Sequence, residues 1–531
     1  MRTEVETWAG RVMRERRGCI KVVKVVAVVV FLFLLSFPQG SSAEGLRGGF
    51  EDAFGPRFHP DTSIAKPDVR HRPRHGLDRA TGVRHWNQVA VDASGLDHTP
   101  VAPGEARIFG EQLGPGRASR AMAIVHLAVF EVVNAVEGGY KSYVGLGPSK
   151  LGTSLDAAVA QAAHDTLTAL FPSQAERFDA VLTEELADIR DGWTKNNGMA
   201  LGKRAAAAIL AARANDGAQR LEPRVGIEFL TSNDPGKWRQ DPISQIPLAL
   251  GAFWGDVKPF VLERSNQFRA PQPPRLDSPE YAAAYREAQQ LGGDGLVTPT
   301  TRTAEQTQIG IFWAYDGTPS LCAPPRLYNQ ITMRIAHQMG TDTDVLELAR
   351  LLALVNVAMA DAGFAIWESK FYYQYWRPVT AIRESDEGTG PTGLGDGNPA
   401  TTGDPTYSPL GAPASNLTGP NFTPPFPAYP SGHAGFGGAL FEILRKYYRT
   451  DRIPFTFMSD EFNGVTKDNN GTVRPVVERS FSSLSEAEEE NGQSRIYLGI
   501  HWAFDKSEGI AQGRRVADYV FTHFLIPGHR R

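Results

Sequence analysis

The 531-residue chain has two cysteines, Cys19 and Cys322, and almost no charge imbalance: 55 Lys and Arg stand against 59 Asp and Glu, a formal net charge of −4. A nucleic-acid binder would leave a basic footprint, so no nucleic-acid partner is expected and any anion site must be local. Long apolar runs are just as scarce. The one uninterrupted run near the N-terminus spans Val25 to Leu35. With 41% hydrophobic and 21% charged residues and a mean hydropathy of −0.29, the composition excludes a polytopic membrane protein and a wholly disordered chain. The 53 glycines and 37 prolines point to long irregular connections. The length allows two or three domains.

Arg2, Arg11, Arg14, Arg16, Arg17, Lys21 and Lys24 precede the apolar run, and Ser36-Phe37-Pro38-Gln39-Gly40-Ser41-Ser42-Ala43 follows it. A basic start, an apolar stretch too short to span a bilayer comfortably and a small-residue exit mark residues 1–43 as an export signal cut after Ala43. Arg16-Arg17-Gly18-Cys19-Ile20-Lys21 also resembles a twin-arginine signal. The expected location is secreted, periplasmic or extracellular, with no stable membrane span once the signal is removed; the competing reading is a single-span membrane anchor. Cleavage would leave 48 basic and 56 acidic residues, net −8, and Cys322 as the sole cysteine. No intrachain disulfide is then available, the exported chain relies on its core, and a buried Cys322 is expected.

Residues 44–82 mix Pro, Gly, His and Arg without periodicity and read as a loosely ordered lead-in. From Arg117 the pattern is helical: Arg117 to Val136, Ser154 to Phe171, Ser173 to Asp191 and Met199 to Asp216 place apolar residues three and four apart between Gly or Pro breaks. A Pro-rich middle, Asp241 to Pro279, leads to a second series from Thr303 to Leu525. Convincing alternating strands are absent. The expected fold is all-α, two helical bundles: an N-terminal scaffold over residues 83–300 and a C-terminal bundle over 301–531 that carries the site. Leu351 to Trp367, interrupted by Asn356 and Asp361, reads as a buried helix and not a membrane span. Glu387 to Pro430 is a long Gly/Pro/Thr/Asn connection of the kind that often serves function. Its Gly388-Thr389-Gly390-Pro391-Thr392-Gly393 has no strand before it and no helix after it, which removes a dinucleotide reading.

Three short segments concentrate chemistry. In Lys370-Phe371-Tyr372-Tyr373-Gln374-Tyr375-Trp376-Arg377-Pro378, seven helical residues advance about 700°, which would set Lys370 and Arg377 on one face about 10 Å apart along the axis. Pro378 would end that helix, and two cations pointing one way suit an anion. Pro430-Ser431-Gly432-His433 directly precedes a helical pattern. Ser431 can donate its hydroxyl, the Gly432 N–H can approach closely, and the helix start offers free N–H groups to negative charge. His433 can then move protons near neutral pH. In the third segment, Ser494 to Asp505, Arg495 adds a cation. His501 and Asp505 lie four apart on an expected helix, so the carboxylate can hold Nδ1–H and leave Nε2 free. Alone, each segment also has a plain reading: a solvated basic pair beside an aromatic core, a helix cap, a core histidine satisfied by a carboxylate.

Taken in order, K-x6-R-P, P-S-G-H and S-R-x5-H-x3-D resemble the signature shared by type 2 phosphatidic-acid phosphatases and vanadium-dependent haloperoxidases. Phe312-Trp313-Ala314-Tyr315-Asp316-Gly317, Pro325-Arg326-Leu327-Tyr328-Asn329-Gln330, Phe426-Pro427-Ala428-Tyr429 and Gly435-Phe436-Gly437-Gly438 extend the likeness to the vanadium chloroperoxidases, and Trp86-Asn87 and the helical first half to their bacterial secreted members. The resemblance implies vanadate as cofactor, its equatorial oxygens held by Lys370, Arg377, Arg495, Ser431 and the Gly432 N–H. It implies His501 as the axial vanadium ligand oriented by Asp505, His433 at the opposite apex, and Asp316 paired with the cations. The implied cycle has His433 deprotonating hydrogen peroxide, a peroxovanadate polarised by Lys370, and halide leaving as hypohalous acid to meet a small organic acceptor. Trp367 and Phe426 match aromatic residues of the fungal chloroperoxidases and imply an apolar halide pocket taking bromide and chloride. The alternatives are a secreted acid phosphatase working through a phosphohistidine at His501, and a catalytically inactive anion-binding bundle. A homo-oligomer stays open.

Overall fold

A computed structural model describes residues 49–60, 78–322 and 325–528; the expected export signal lies outside them. The fold is all-α. The described residues form fourteen α-helices: α1 Phe50–Phe54, α2 Thr81–Asp97, α3 Gly114–Glu137, α4 Leu155–Leu170, α5 Ala175–Ala187, α6 Trp193–Arg213, α7 Pro279–Gly292, α8 Ala304–Phe312, α9 Pro325–Gln338, α10 Val345–Tyr373, α11 Pro378–Glu384, α12 Gly432–Tyr448, α13 Leu484–Tyr497 and α14 Ala503–His523. Side-chain caps fix several starts: Ser154, Ser278, Asp344, Ser431 and Ser483 each accept a first-turn N–H, and Thr303 with Gln306 completes a capping box. Each satisfies a donor that the helix leaves orphaned.

The central helix is α10, apolar almost all round, with α3, α12 and α14 packed on it. A helix apolar on every face has to be enclosed. Both α3 and α10 are long and apolar enough to cross a membrane, and both are almost wholly buried inside the fold. The described residues lie within one compact unit. Among the described residues the main hydrophobic cluster draws on residues from Ala80 to Leu525, on both sides of the boundary expected near residue 300. The helices carrying the site approach very closely: a Cβ on Gly513 of α14 would stand 2.0 Å from the Gly435 carbonyl oxygen of α12, and one on Gly438 would stand 2.6 Å from that of Ile510.

Two expectations need correction. The lead-in is not loose where it is described. Phe50, Phe54 and Phe58 are buried with Phe422 and Leu417, and His59–Pro60 (β1) pairs with Leu417–Thr418 (β4). Strands also exist. Besides Asp316–Thr318 (β2) with Leu321–Cys322 (β3), Phe455–Asn463 (β5) and Val476–Phe481 (β6) form an antiparallel hairpin. Cys322 is fully buried as expected, and burial pushes its thiol up to about 11, which keeps it protonated and inert.

Candidate active site

The C-terminal end of α10 brings Lys370 inside, where its ammonium donates to the carbonyls of Pro427 at 2.8 Å and Ala428 at 2.9 Å. The helix does not continue to Arg377. Gln374 turns left-handed at φ 50°, and Arg377, at φ −85° and ψ 156°, is the N-cap of α11 with Pro378 as first helical residue. The residue before a proline is disfavoured in α geometry, so Pro378 starts a helix and does not end one. Arg377 still reaches the same place. Its Nε donates to the Phe426 carbonyl at 3.0 Å, and its Nη1 to the Ile500 carbonyl at 2.8 Å and to His501 Nε2 at 2.9 Å. Carbonyls of the long Glu387 to Pro430 connection thus hold both cations in place.

Ser431 caps α12, its hydroxyl oxygen accepting from the Ala434 N–H at 3.4 Å, while its own N–H donates to the Asp505 carbonyl at 2.9 Å. Gly432 is packed under Trp367, whose ring would lie 3.3 Å from an added Cβ. His433 Nε2 lies 2.6 Å from the Ala314 carbonyl. That oxygen can only accept, so Nε2 carries the proton and Nδ1 keeps its lone pair. Burial and the nearby Arg495 push this imidazole down to about 4, leaving it neutral at pH 7.

Arg495, in the last turn of α13, donates through Nη2 to both Asp316 oxygens at 2.7 and 2.9 Å. Its Nε and Nη1 are buried and have no partner among the described residues. His501 and Asp505 meet without sharing a helix. His501 precedes α14, Trp502 is its N-cap, and Asp505 sits at the third helical position. There its carboxylate accepts from the Trp502 N–H at 3.1 Å and lies 2.7 Å from His501 Nδ1. Because Arg377 can only donate, His501 Nε2 accepts and Nδ1 carries the proton. Burial raises Asp505 to about 7 and, with Arg377, holds His501 well below its ordinary value.

The centroids of Trp367 and Phe426 are 4.9 Å apart, and the Lys370 ammonium lies 5.2 Å from the Phe426 centroid. All the expected site residues therefore converge. Three cations, Lys370, Arg377 and Arg495, face two carboxylates, Asp316 and Asp505. Burial and mutual repulsion push Lys370 well down and Arg377 to about 9, and an adjacent anion reverses both effects. Among the described residues no group of three or more His, Cys, Asp or Glu has the arrangement that holds a metal cation. The donor set, with two unanswered guanidinium nitrogens and a helix N-terminus, fits an oxyanion such as vanadate.

The VCPO second helical-bundle domain family matches residues 350–526. Vanadium chloroperoxidase of Curvularia inaequalis is 30% identical over 503 residues, covering 79% of this chain and 78% of that protein. The chain belongs to the vanadium-dependent haloperoxidases. Among solved structures it is similar in fold to a bacterial vanadium-dependent iodoperoxidase, with a TM-score of 0.67 and 22% identity over 87% of this chain and 100% of that one. It is likewise similar to the holo form of a bacterial vanadium-dependent chloroperoxidase, with a TM-score of 0.60 and 18% identity over 85% of this chain and 99% of that one.

Sequence reasoning missed the support behind this candidate site. Tyr315, at φ 44°, donates its N–H to Glu461 at 2.9 Å, and Glu461 also takes Ser415 at 2.6 Å and Arg474 at 2.5 Å. This buried trio fixes the turn that carries the Ala314 carbonyl to His433 and Asp316 to Arg495. Tyr328 and Asn491 both donate to the His433 carbonyl, at 2.9 and 3.0 Å. Tyr328 belongs to the Pro325 to Gln330 segment, whereas Glu461, beside Asp460, and Asn491, directly after Glu488-Glu489-Glu490, carry no signal that separates them from their polar neighbours.

Proposed function

We propose that this haloperoxidase oxidises bromide and chloride with hydrogen peroxide to hypohalous acid, using vanadate held by Lys370, Arg377, Arg495, Ser431 and the Gly432 N–H, with His501 ligating through Nε2. The observation that carries this reading is Arg495, whose buried Nε and Nη1 are unpartnered beside two further cations. Bound vanadate would supply an electrophilic centre at which peroxide is activated toward halide. The chain's own groups do the rest. His433, neutral with its Nδ1 lone pair available, takes a proton from hydrogen peroxide. Asp505 holds the His501 tautomer, and Asp316 keeps Arg495 oriented. The Trp367 and Phe426 rings offer halide a wall that strips water from it. The N-terminal basic and apolar segment supports export of the enzyme.

Purified protein equilibrated with vanadate is expected to brominate and chlorinate a soluble 1,3-diketone in the presence of peroxide. Bromination without chlorination at any pH would remove chloride from the proposal. Hydrolysis of a phosphate ester with no halogenation would replace it by a phosphatase on the same anion receptor, with His501 as nucleophile.

A further inference from the structure

Tyr315 is buried and sits at φ 44°, in the left-handed region that only glycine enters freely. A bulky side chain stays there only where its surroundings over-determine the backbone. Strand β5 supplies that constraint through three successive residues. The Ser459 hydroxyl donates to the Phe312 carbonyl at 2.6 Å, the Asp460 N–H donates to the Tyr315 hydroxyl at 2.6 Å, and the Glu461 carboxylate accepts the Tyr315 N–H at 2.9 Å. The strand is itself anchored. Arg326 links the Asp460 carboxylate, at 2.5 Å, to Asp92 of α2, at 2.9 Å. Arg474 and Ser415 close on the other oxygen of Glu461 at 2.5 and 2.6 Å.

Ala314 and Tyr315 share one peptide group, and both of its polar atoms are engaged. Its N–H goes to Glu461, and its carbonyl oxygen lies 2.6 Å from His433 Nε2. The group is planar and cannot turn one end without the other. The orientation that Glu461 fixes on the N–H side therefore fixes the acceptor that His433 meets, and hydrogen bonds in series polarise one another. Glu461 is fully buried, yet stability alone does not call for a carboxylate at this place. A buried ion pair such as Glu461 with Arg474 can often be exchanged for apolar residues at no loss. An apolar side chain, however, cannot accept the Tyr315 N–H.

We propose that Glu461 is a positioning residue for His433, acting through the Ala314–Tyr315 peptide group. With the carbonyl held toward it, the imidazole keeps its proton on Nε2 and leaves the Nδ1 lone pair to accept one. With the peptide free to rotate, Nε2 loses its acceptor and the two tautomers mix. Asp505 does for His501 directly, at 2.7 Å from Nδ1, what Glu461 does for His433 across one peptide. The role of His433 as a base rests on the haloperoxidase reading above; its tautomer does not.

The test uses the full chain with its histidine rings labelled for nitrogen NMR, the His433 signals being those missing from His433→Ala. Without vanadate, the wild type should show His433 as the Nε2–H tautomer. Glu461→Gln keeps an acceptor oxygen for the Tyr315 N–H and should keep that tautomer, although it takes the carboxylate from Arg474. The double variant Glu461→Leu/Arg474→Met removes the acceptor and the stranded cation together, and should show both tautomers. Given vanadate, peroxide and bromide, the double variant should lose about 10- to 100-fold in kcat with a bromide KM close to that of the wild type, while Glu461→Gln stays far closer to the wild type in both. An Nδ1–H tautomer in the wild type, or a double variant that keeps the wild-type tautomer and kcat, overturns the proposal. Should the double variant not fold, Glu461→Gln decides: loss of the tautomer there means that charge, and not the acceptor for Tyr315, is at work. Absence of halogenation by the wild type rejects the haloperoxidase reading instead, and the tautomer measurements still test the link from Glu461 to His433.

Discussion

Arg495 is the residue on which the site's charge balance turns. It is 1% exposed, spends one nitrogen on Asp316 and leaves two buried donors unanswered. A buried unpaired donor is costly and a charged hydrogen bond returns about 1.5–3 kcal/mol, so an oxyanion accepting from Nε and Nη1 gains roughly 3–6 kcal/mol, of which a lysine that keeps the charge forfeits about 2–4. Arg495→Lys keeps the charge and loses the fork geometry. Its vanadate dissociation constant is expected to rise roughly 30- to 1,000-fold; an unchanged value in a vanadate titration would show that Arg495 does not touch the anion. His433 makes a second prediction at this scale. Its folded value is displaced downward from 6.5 to about 4, so protonation, which removes the base, occurs only as pH falls through that lower value. In the vanadate-free protein the His433 imidazole should stay neutral from neutral pH down to about 5 and take up its proton only toward 4, as followed by NMR of the ring, and in the vanadate-loaded enzyme His433→Ala should lose about 10²–10⁴-fold in kcat. A midpoint near 6.5 in the vanadate-free protein would mean that the imidazole is not shielded as its burial requires.

At the scale of elements, glycines set how closely α12 and α14 approach, and with that the distance between Ser431 and Asp505. Helix propensity alone favours Gly513→Ala by about 1 kcal/mol. The new Cβ, however, would lie 2.0 Å from a backbone oxygen that cannot rotate away, and overpacking of a fixed contact costs about 1–3 kcal/mol or more. The clash wins. Gly513→Ala should lower the melting temperature, and a rise would mean that the helices can part at no cost. The same scale separates what the sequence disclosed from what it hid. Lys370, Ser431, His433, Arg495 and His501 were legible because they fall in short ordered motifs. The claim that Lys370 and Arg377 share a helix was not, although Pro378 already disfavoured a helical Arg377. The β5 hairpin escaped notice because its inward positions are Phe455, Phe457, Ser459 and Glu461, half of them polar, and apolar alternation does not register a carboxylate buried to meet Arg474. The packed lead-in did leave a trace: Phe50, Phe54 and Phe58 are spaced four apart.

At the scale of the whole molecule, the anion receptor ties together segments distant in sequence. Lys370 ends α10, Arg377 starts α11, Ser431 starts α12, Arg495 ends α13, His501 precedes α14, and Asp316 arrives on a turn held by the hairpin. With the proposed ligand set, partial opening of any of these would remove a ligand contact, so vanadate is expected to bind the closed bundle and not its opened forms. Ligand that binds only the native state stabilises it by about 2.7 kcal/mol at a free concentration 100 times the dissociation constant. In a chain this large that corresponds to a rise of about a few degrees in melting temperature. The net charge of −4 argues against attributing such a shift to general anion screening, because an acidic molecule gains little from added anion except where cations are gathered. Wild type should therefore melt higher in saturating vanadate than in the same ionic strength of chloride, and Arg495→Lys should need far more vanadate for the same rise. Equal shifts in both proteins at one vanadate concentration would place the stabilising anion somewhere other than this pocket.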